Sequence, residues 1–241
     1  MIKIKDVGII LSSQLFQEKF IIVKCLTKNH GIVSGLSRIS KKKHDIIAGN
    51  VVDVCWKARL SEQLGYVDLY VQDHVLSKIM FVRHKLLILN CALQMLLCSL
   101  KEKELNTLMY QETIDLIESL KNKDDLLHNF KMYVNFEARL LNSCGYSLNW
   151  SECAVTKSKK DIYYISPKTG NAVTREVGEK YSDKLFKIPL FFINEEMDAS
   201  KDEILNGLKI FQHFIEQHIF FPQHIKIPDI RDILIKELSV K

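Results

Sequence analysis

Hydrophobic and polar positions along this chain follow two periods, and the change falls near residue 76. Before it, short β-branched runs alternate apolar and polar residues: IKDVGIIL, KFIIVKCLT, GIVSGLSRI, NVVDVCWKARL and YVDLYVQ. In the fourth run Val52, Val54, Trp56 and Ala58 share one face, and Asp53, Cys55 and Lys57 share the other, as in a half-buried strand. Turn-forming residues separate the runs, with Lys28 to Gly31 after the second and Ala48 to Asn50 before the fourth. Five short strands without a long helix between them predict a five-stranded antiparallel barrel of the OB type over residues 1–76, with a small open sandwich as the competitor.

Beyond Leu76 the apolar spacing becomes three and four. Ser77 to Leu100, Glu104 to Leu120 and Leu126 to Asn142 read as helices, with Asp124 or Asp125 capping the last. Ile204, Leu208, Phe211, Ile215 and Ile219 form another stripe near the C-terminus. The helical period lapses between Cys144 and Phe192, where DIYYISPKTGNAV reads as strand, turn and strand. The expected fold class is therefore α+β multidomain: the barrel, then a helical bundle domain over 77–241 with a β-hairpin in an insertion at about 145–192.

Composition supports a folded, water-soluble chain, with 241 residues, 47% of them hydrophobic and 26% charged. The apolar run from Leu86 to Cys98 is broken by Asn90 and Gln94 and is shorter than the ~20 residues of a membrane span, so a buried helix is expected and no membrane partner. Six cysteines without any CxxC pair, and an N-terminus without a signal peptide's apolar core, read as a reducing, cytoplasmic setting.

Charge changes the picture more. Met1 to Met80 carries 12 Lys+Arg against 7 Asp+Glu, whereas the remainder holds 22 of each. The positive excess therefore belongs to the barrel segment, as expected where one module meets a polyanion.

Catalytic patterns are missing from the sequence: no GxxxxGK[ST], HExxH, GxSxG or dinucleotide glycine motif occurs. No enzyme activity and no cofactor are expected. Cys144 and Cys153 lie beside the hairpin, but no histidine occurs from Asn129 to Gln212, so the four ligands of a structural zinc site are not on offer and no metal is expected.

Single-strand binding by a barrel combines a positive groove with aromatics on which bases stack. The candidate cations are Lys24, Lys28, Arg38, Lys41, Lys42, Lys43, Lys57 and Arg59. Candidate stacking residues are Phe16, Phe20, Trp56, Tyr66 and Tyr70, with core packing the competing role for Trp56. The run Lys41 to Lys43 reads either as a solvated loop or as a phosphate-binding one.

Longer words carry a family resemblance. Gly8-Ile-Ile-Leu, Thr27-Lys-Asn-His-Gly31, Trp56-Lys-Ala-Arg59-Leu and Glu62-Gln-Leu-Gly65, then Phe136-Glu-Ala-Arg139-Leu-Leu, Cys144-Gly-Tyr146, Cys153-Ala-Val-Thr156 and Tyr164-Ile-Ser-Pro167-Lys-Thr-Gly170-Asn-Ala-Val173, resemble the RecO family of recombination mediators nearly end to end. Many of its members hold zinc through two CxxC pairs around the hairpin. Here Thr156 stands where a second cysteine would, and Ala172 to Glu176 contains none, so the chain resembles the zinc-free branch.

The resemblance implies a non-enzymatic role in DNA repair without ATP. A RecO-like protein binds single- and double-stranded DNA and anneals complementary strands. With RecR it helps load RecA onto DNA coated by single-strand DNA-binding protein, whose C-terminal tail it also binds; a cytoplasmic, nucleoid-associated place follows. Arg83, Lys85 and Arg139 are possible cationic edges of the pocket for that tail. The alternatives are a generic OB-fold single-strand binder and a protein-interaction adaptor.

Overall fold

The computed structural model describes residues 2–39, 45–60, 63–194 and 196–240. The barrel forms as the alternation predicts, from β1 (Ile2–Phe16), β2 (Phe20–Thr27), β3 (Gly31–Arg38), β4 (Val51–Ala58) and β5 (Gly65–Asp73). They close in the order β1-β2-β3-β5-β4. This is the OB arrangement.

β1 is long enough to serve both neighbours. Its first half, Ile2 to Ile9, pairs with β4, and its second half, Gly8 to Phe16, pairs with β2. A register shift between Ile10 and Ser12 bends the strand where it changes partner, which is how a bulge turns a barrel corner. Closure on the far side rests on a shorter contact: β3 and β5 run parallel and pair only at Gly35↔Gly65 and Leu36↔Tyr66.

Inside, Ile10, Val23, Cys25, Val33, Val52, Val54, Trp56, Val67 and Leu69 form one apolar cluster. Some outward positions are buried as well. Ile9, Leu26 and Ile32 are at most 2% exposed, and α2 (Arg83–Ser99) packs on β1 after a short α1 (Val75–Ile79). The single helix expected over Ser77 to Leu100 is thus two, restarted from an extended Val82 with no proline or glycine to mark the break. α3 (Thr107–Asn122) starts at Asn106, whose side chain accepts the Met109 N–H at 3.0 Å.

The chain packs as two compact units, Met1–Asp124 with Pro228–Leu234, and Asp125–Ile227 with Ile235–Lys241. The first three helices therefore pack with the barrel, although they lie almost wholly beyond residue 76. In the second unit Asp125, not Asp124, caps α4 (Leu126–Ser143). α4 packs against α6 (Lys201–Ile215), which begins with a capping box of Ser200 and Glu203.

Between them lie β6 (Ile162–Ile165), β7 (Ala172–Thr174), the one-turn α5 (Arg175–Gly178) and β8 (Phe186–Lys187). The expected hairpin is present, but β8 pairs with the other edge of β6 and makes a three-stranded sheet. Two residues are too few to show a period, so β8 left no mark in the sequence. A final helix, α7 (Ile230–Val240), closes the chain.

Candidate nucleic-acid interface

On an antiparallel barrel, residues that are Cα partners and point outward stand side by side across the strands. Strand register gives one such outward row: Lys3 on β1, Lys57 on β4, Tyr66 on β5, Leu36 on β3 and Ile22 on β2. The next outward pair along β2 and β3 is Phe20↔Arg38. Phe20 and Tyr66 meet at a centroid distance of 6.3 Å, tilted by 58°. Tyr66 is 62% exposed, so one aromatic face is open beside the cations of Arg38 and Lys57.

Of the predicted cations, the register brings Arg38 and Lys57 to this patch. Arg59 follows directly from the end of β4 and is exposed. Lys57 also lies 3.8 Å from Asp68, an exposed and loose pair. Lys24 sits further along the outward face of β2 and is bonded to Glu102 at 2.7 Å. Lys28 belongs to the turn at the opposite end of β2 from Phe20, its N–H donating to the Val7 carbonyl, and does not join the row.

Lys41, Lys42 and Lys43 lie outside the described residues. Their anchors do not: Ile39 N–H donates to the Lys19 carbonyl at 2.9 Å, and beyond the segment Asn50 Nδ2 donates to the Asp45 carbonyl. Ile39, the last described residue before the segment, is therefore held beside the β1–β2 turn, at the end of β3 where Phe20 and Arg38 pair.

The remaining aromatic expectations divide. Tyr70 is 59% exposed and Phe16 lies on the surface, but Trp56 is only 3% exposed. Its indole fills the barrel core and donates Nε1–H to the Ser34 carbonyl at 2.8 Å. It cannot stack on a base without the barrel opening, so it is a core residue and not a stacking platform.

Lys3 and Lys5 were missed. Both are exposed on β1, with Lys3 paired to Lys57 and Lys5 to Cys55. The alternation in IKIKD carried the signal, since it sets both lysines on the face opposite Ile2 and Ile4.

Lys85 is not a cationic edge. Only 2% of it is exposed, and its ammonium is bonded to Asp124. Arg83 and Arg139 are exposed.

No cluster of three or more His, Cys, Asp or Glu that could hold a metal occurs among the described residues. Around the insertion sheet, Cys153 is fully buried; its Sγ accepts the Thr156 N–H at 3.4 Å and lies 4.0 Å from Thr174 Oγ1. Burial pushes this thiol up, but hydrogen bonds from the Thr156 side chain and backbone and from the Thr174 and Val155 backbones outweigh it and bring it to about 6. One sulfur facing hydroxyls and amides does not make the donor set of a structural zinc.

The sequence matches two family descriptions. Residues 1–71 match Recombination protein O N terminal, and residues 80–224 match Recombination protein O C terminal. Among curated proteins, the DNA repair protein RecO of Orientia tsutsugamushi (strain Ikeda) is 33% identical over 238 residues, covering 97% of each chain. That of Rickettsia canadensis (strain McKiel) is 33% identical over 90% of this chain and 89% of its own. That of Rickettsia bellii (strain OSU 85-389) is 31% identical over 99% and 97%.

Proposed function

The chain belongs to the RecO family of DNA repair proteins, and from that premise we propose that it is a recombination mediator that holds single-stranded DNA on the outer face of its barrel. It anneals complementary strands without ATP, and with RecR it helps load RecA onto DNA coated by single-strand DNA-binding protein. The role is non-enzymatic, cytoplasmic and nucleoid-associated. No helix among the described residues is long and apolar enough to cross a membrane.

The observation that carries this reading is the outward patch of Arg38, Phe20, Tyr66 and Lys57 on a closed OB-type barrel. Guanidinium and ammonium groups neutralise phosphates, the exposed ring takes a base, and strand register holds the two functions at fixed spacing. Two DNA strands repel each other through their phosphates. A cationic surface that lowers this repulsion lets complementary bases find register, and counterion release makes the binding salt-dependent.

The test is annealing of complementary oligonucleotides across a salt series without ATP, with and without single-strand DNA-binding protein. Annealing that falls with salt and survives the coating protein supports the mediator. Loss of annealing on coated strands leaves only a generic single-strand binder, and undetectable oligonucleotide binding at low salt points to a protein-interaction adaptor.

A further inference from the structure

Lys24 already holds an anion. Its ammonium lies 2.7 Å from Glu102 Oε1, with both side chains 40% exposed. The pair borders a cleft of about 260 Å³ between the outward faces of β2 and β3 and the residues Gln63 and Leu64 that lead into β5, lined also by Ser34 and Lys103. In OB barrels the strand 2–3 face and the loops 1–2 and 4–5 are where oligonucleotides bind.

Glu102 comes from the segment after α2, and backbone contacts hold that segment on the barrel. Glu102 bridges Ile32 in parallel, and Lys103 N–H donates to the Ile32 carbonyl at 2.9 Å. Gly31, at φ +66°, lies so close to Glu104 that a Cβ would stand 2.1 Å from its carbonyl oxygen. The carboxylate is thus delivered by fixed backbone.

The neighbours suit an anion. Ser34 is 9% exposed, and its hydroxyl makes no geometrically complete hydrogen bond, yet it faces the Glu102 carboxylate. Burial raises the acid's pKa, but the Lys24 hydrogen bond, the nearby Ser34 hydroxyl and the charges of Lys24 and Lys103 outweigh it and hold the carboxyl below its usual range. Two ammonium groups and a hydroxyl around one oxyanion are what a phosphate oxygen also asks for.

We propose that this cleft is a phosphate subsite of the barrel and that Glu102 is its internal occupant, an intramolecular phosphate mimic that single-stranded DNA displaces from Lys24 on binding. The proposal rests on the reading of the barrel as the DNA-binding unit. It makes Glu102 a brake on affinity: each strand that binds must break one ion pair and leave a carboxylate near its backbone.

The experiment is a double-mutant cycle on the full chain, with E102Q, K24Q and the double variant, titrated with a fluorescent single-stranded oligonucleotide at several salt concentrations. E102Q is expected to bind about two- to fivefold tighter, the range an exposed ion pair is worth. K24Q should cost more affinity in the E102Q background than in the native one, because only there is Lys24 free before DNA arrives. Unchanged or weaker binding by E102Q overturns the proposal, and so does an equal K24Q penalty in both backgrounds, which would make Glu102 a general repulsive charge.

If either result comes while R38A and K57A still weaken binding, the barrel reading stands and only the mimic falls. If no barrel cation matters, both fall. Should E102Q melt early, E102A keeps the same backbone bridge and carries the same comparison.

Discussion

The indole of Trp56 lies against the backbone of Gly65, so close that a methyl group on that glycine would stand 2.5 Å from Nε1 and Cε2 and 2.7 Å from the Lys57 carbonyl oxygen. Gly65 is the Cα partner of Gly35 across the parallel seam, so the ring is clasped where the barrel closes. Gly65→Ala is expected to destabilise the first unit by about 1–3 kcal/mol, the usual cost of overpacking. Urea unfolding followed by circular dichroism measures it, and an unchanged midpoint would contradict the geometry.

The same packing predicts that Trp56→Phe lowers stability but leaves single-strand affinity within about twofold, because the ring is not offered to bases. Tyr66→Ala should do the reverse. Loss of one stacking platform costs about 1–3 kcal/mol of binding with little change in melting. Fluorescence titration and thermal melting of the two variants side by side separate the roles.

Charge at the patch is checked by the salt dependence of binding. R38A and K57A should each reduce the slope of log K against log salt by about 0.7, the single-strand value per phosphate contact. K28A, at the far end of β2, should leave the slope unchanged. A triple alanine replacement of Lys41, Lys42 and Lys43 tests the basic segment in the same assay, with a slope reduced by up to about 2 as the expected result.

Asp6 ties β1 to the β2–β3 turn. Its carboxylate accepts from the Asn29 N–H at 2.8 Å and from the Val7 N–H at 2.9 Å, and lies 2.8 Å from His30 Nδ1. Burial raises its pKa, but these bonds outweigh that and set it below the ordinary aspartate value. A depressed carboxylate contributes stability that is present above its unfolded pKa and lost as pH falls through the folded one. Native protein should therefore exceed D6N in stability above about pH 4, the unfolded aspartate range, and the gap should close in more acidic buffer. Urea midpoints at several pH values give the curve, and a constant gap would exclude the linkage.

Cys153 gives the complementary window. With its thiol lowered to about 6, it contributes stability that is complete above the free-thiol pKa of ~8.5 and lost as pH falls toward 6. The stability of native protein relative to C153S should rise across that interval. A flat difference would mean that burial prevails over the hydrogen bonds. A chelator should leave the melting temperature of both proteins unchanged.

Alternation made the barrel legible. Val52, Val54 and Trp56 point inward and Asp53, Cys55 and Lys57 outward, as period two requires, and even the missed Lys3 and Lys5 were written in it. What local pattern does not encode is what comes from elsewhere in the chain. The burial of Trp56 depends on two glycines from other strands. The partner of Lys24 arrives from beyond α2, and Lys85 is buried through Asp124 on the far side of α3. The packing of the first helices onto the barrel likewise follows from outward apolar residues such as Ile9, which strand periodicity assigns to a face but not to a neighbour.

The brevity of the β3–β5 seam has a mechanical consequence. Most neighbouring strands are joined along seven or eight Cα pairs, but these two share only Gly35↔Gly65 and Leu36↔Tyr66. The patch straddles this weakest join, with Phe20 and Arg38 on one bank and Tyr66 and Lys57 on the other. With the fewest backbone pairs to break, this join is where the wall offers least resistance to local opening. Amide hydrogens along this join are the ones that should exchange first with solvent and slow most when a strand is bound across it.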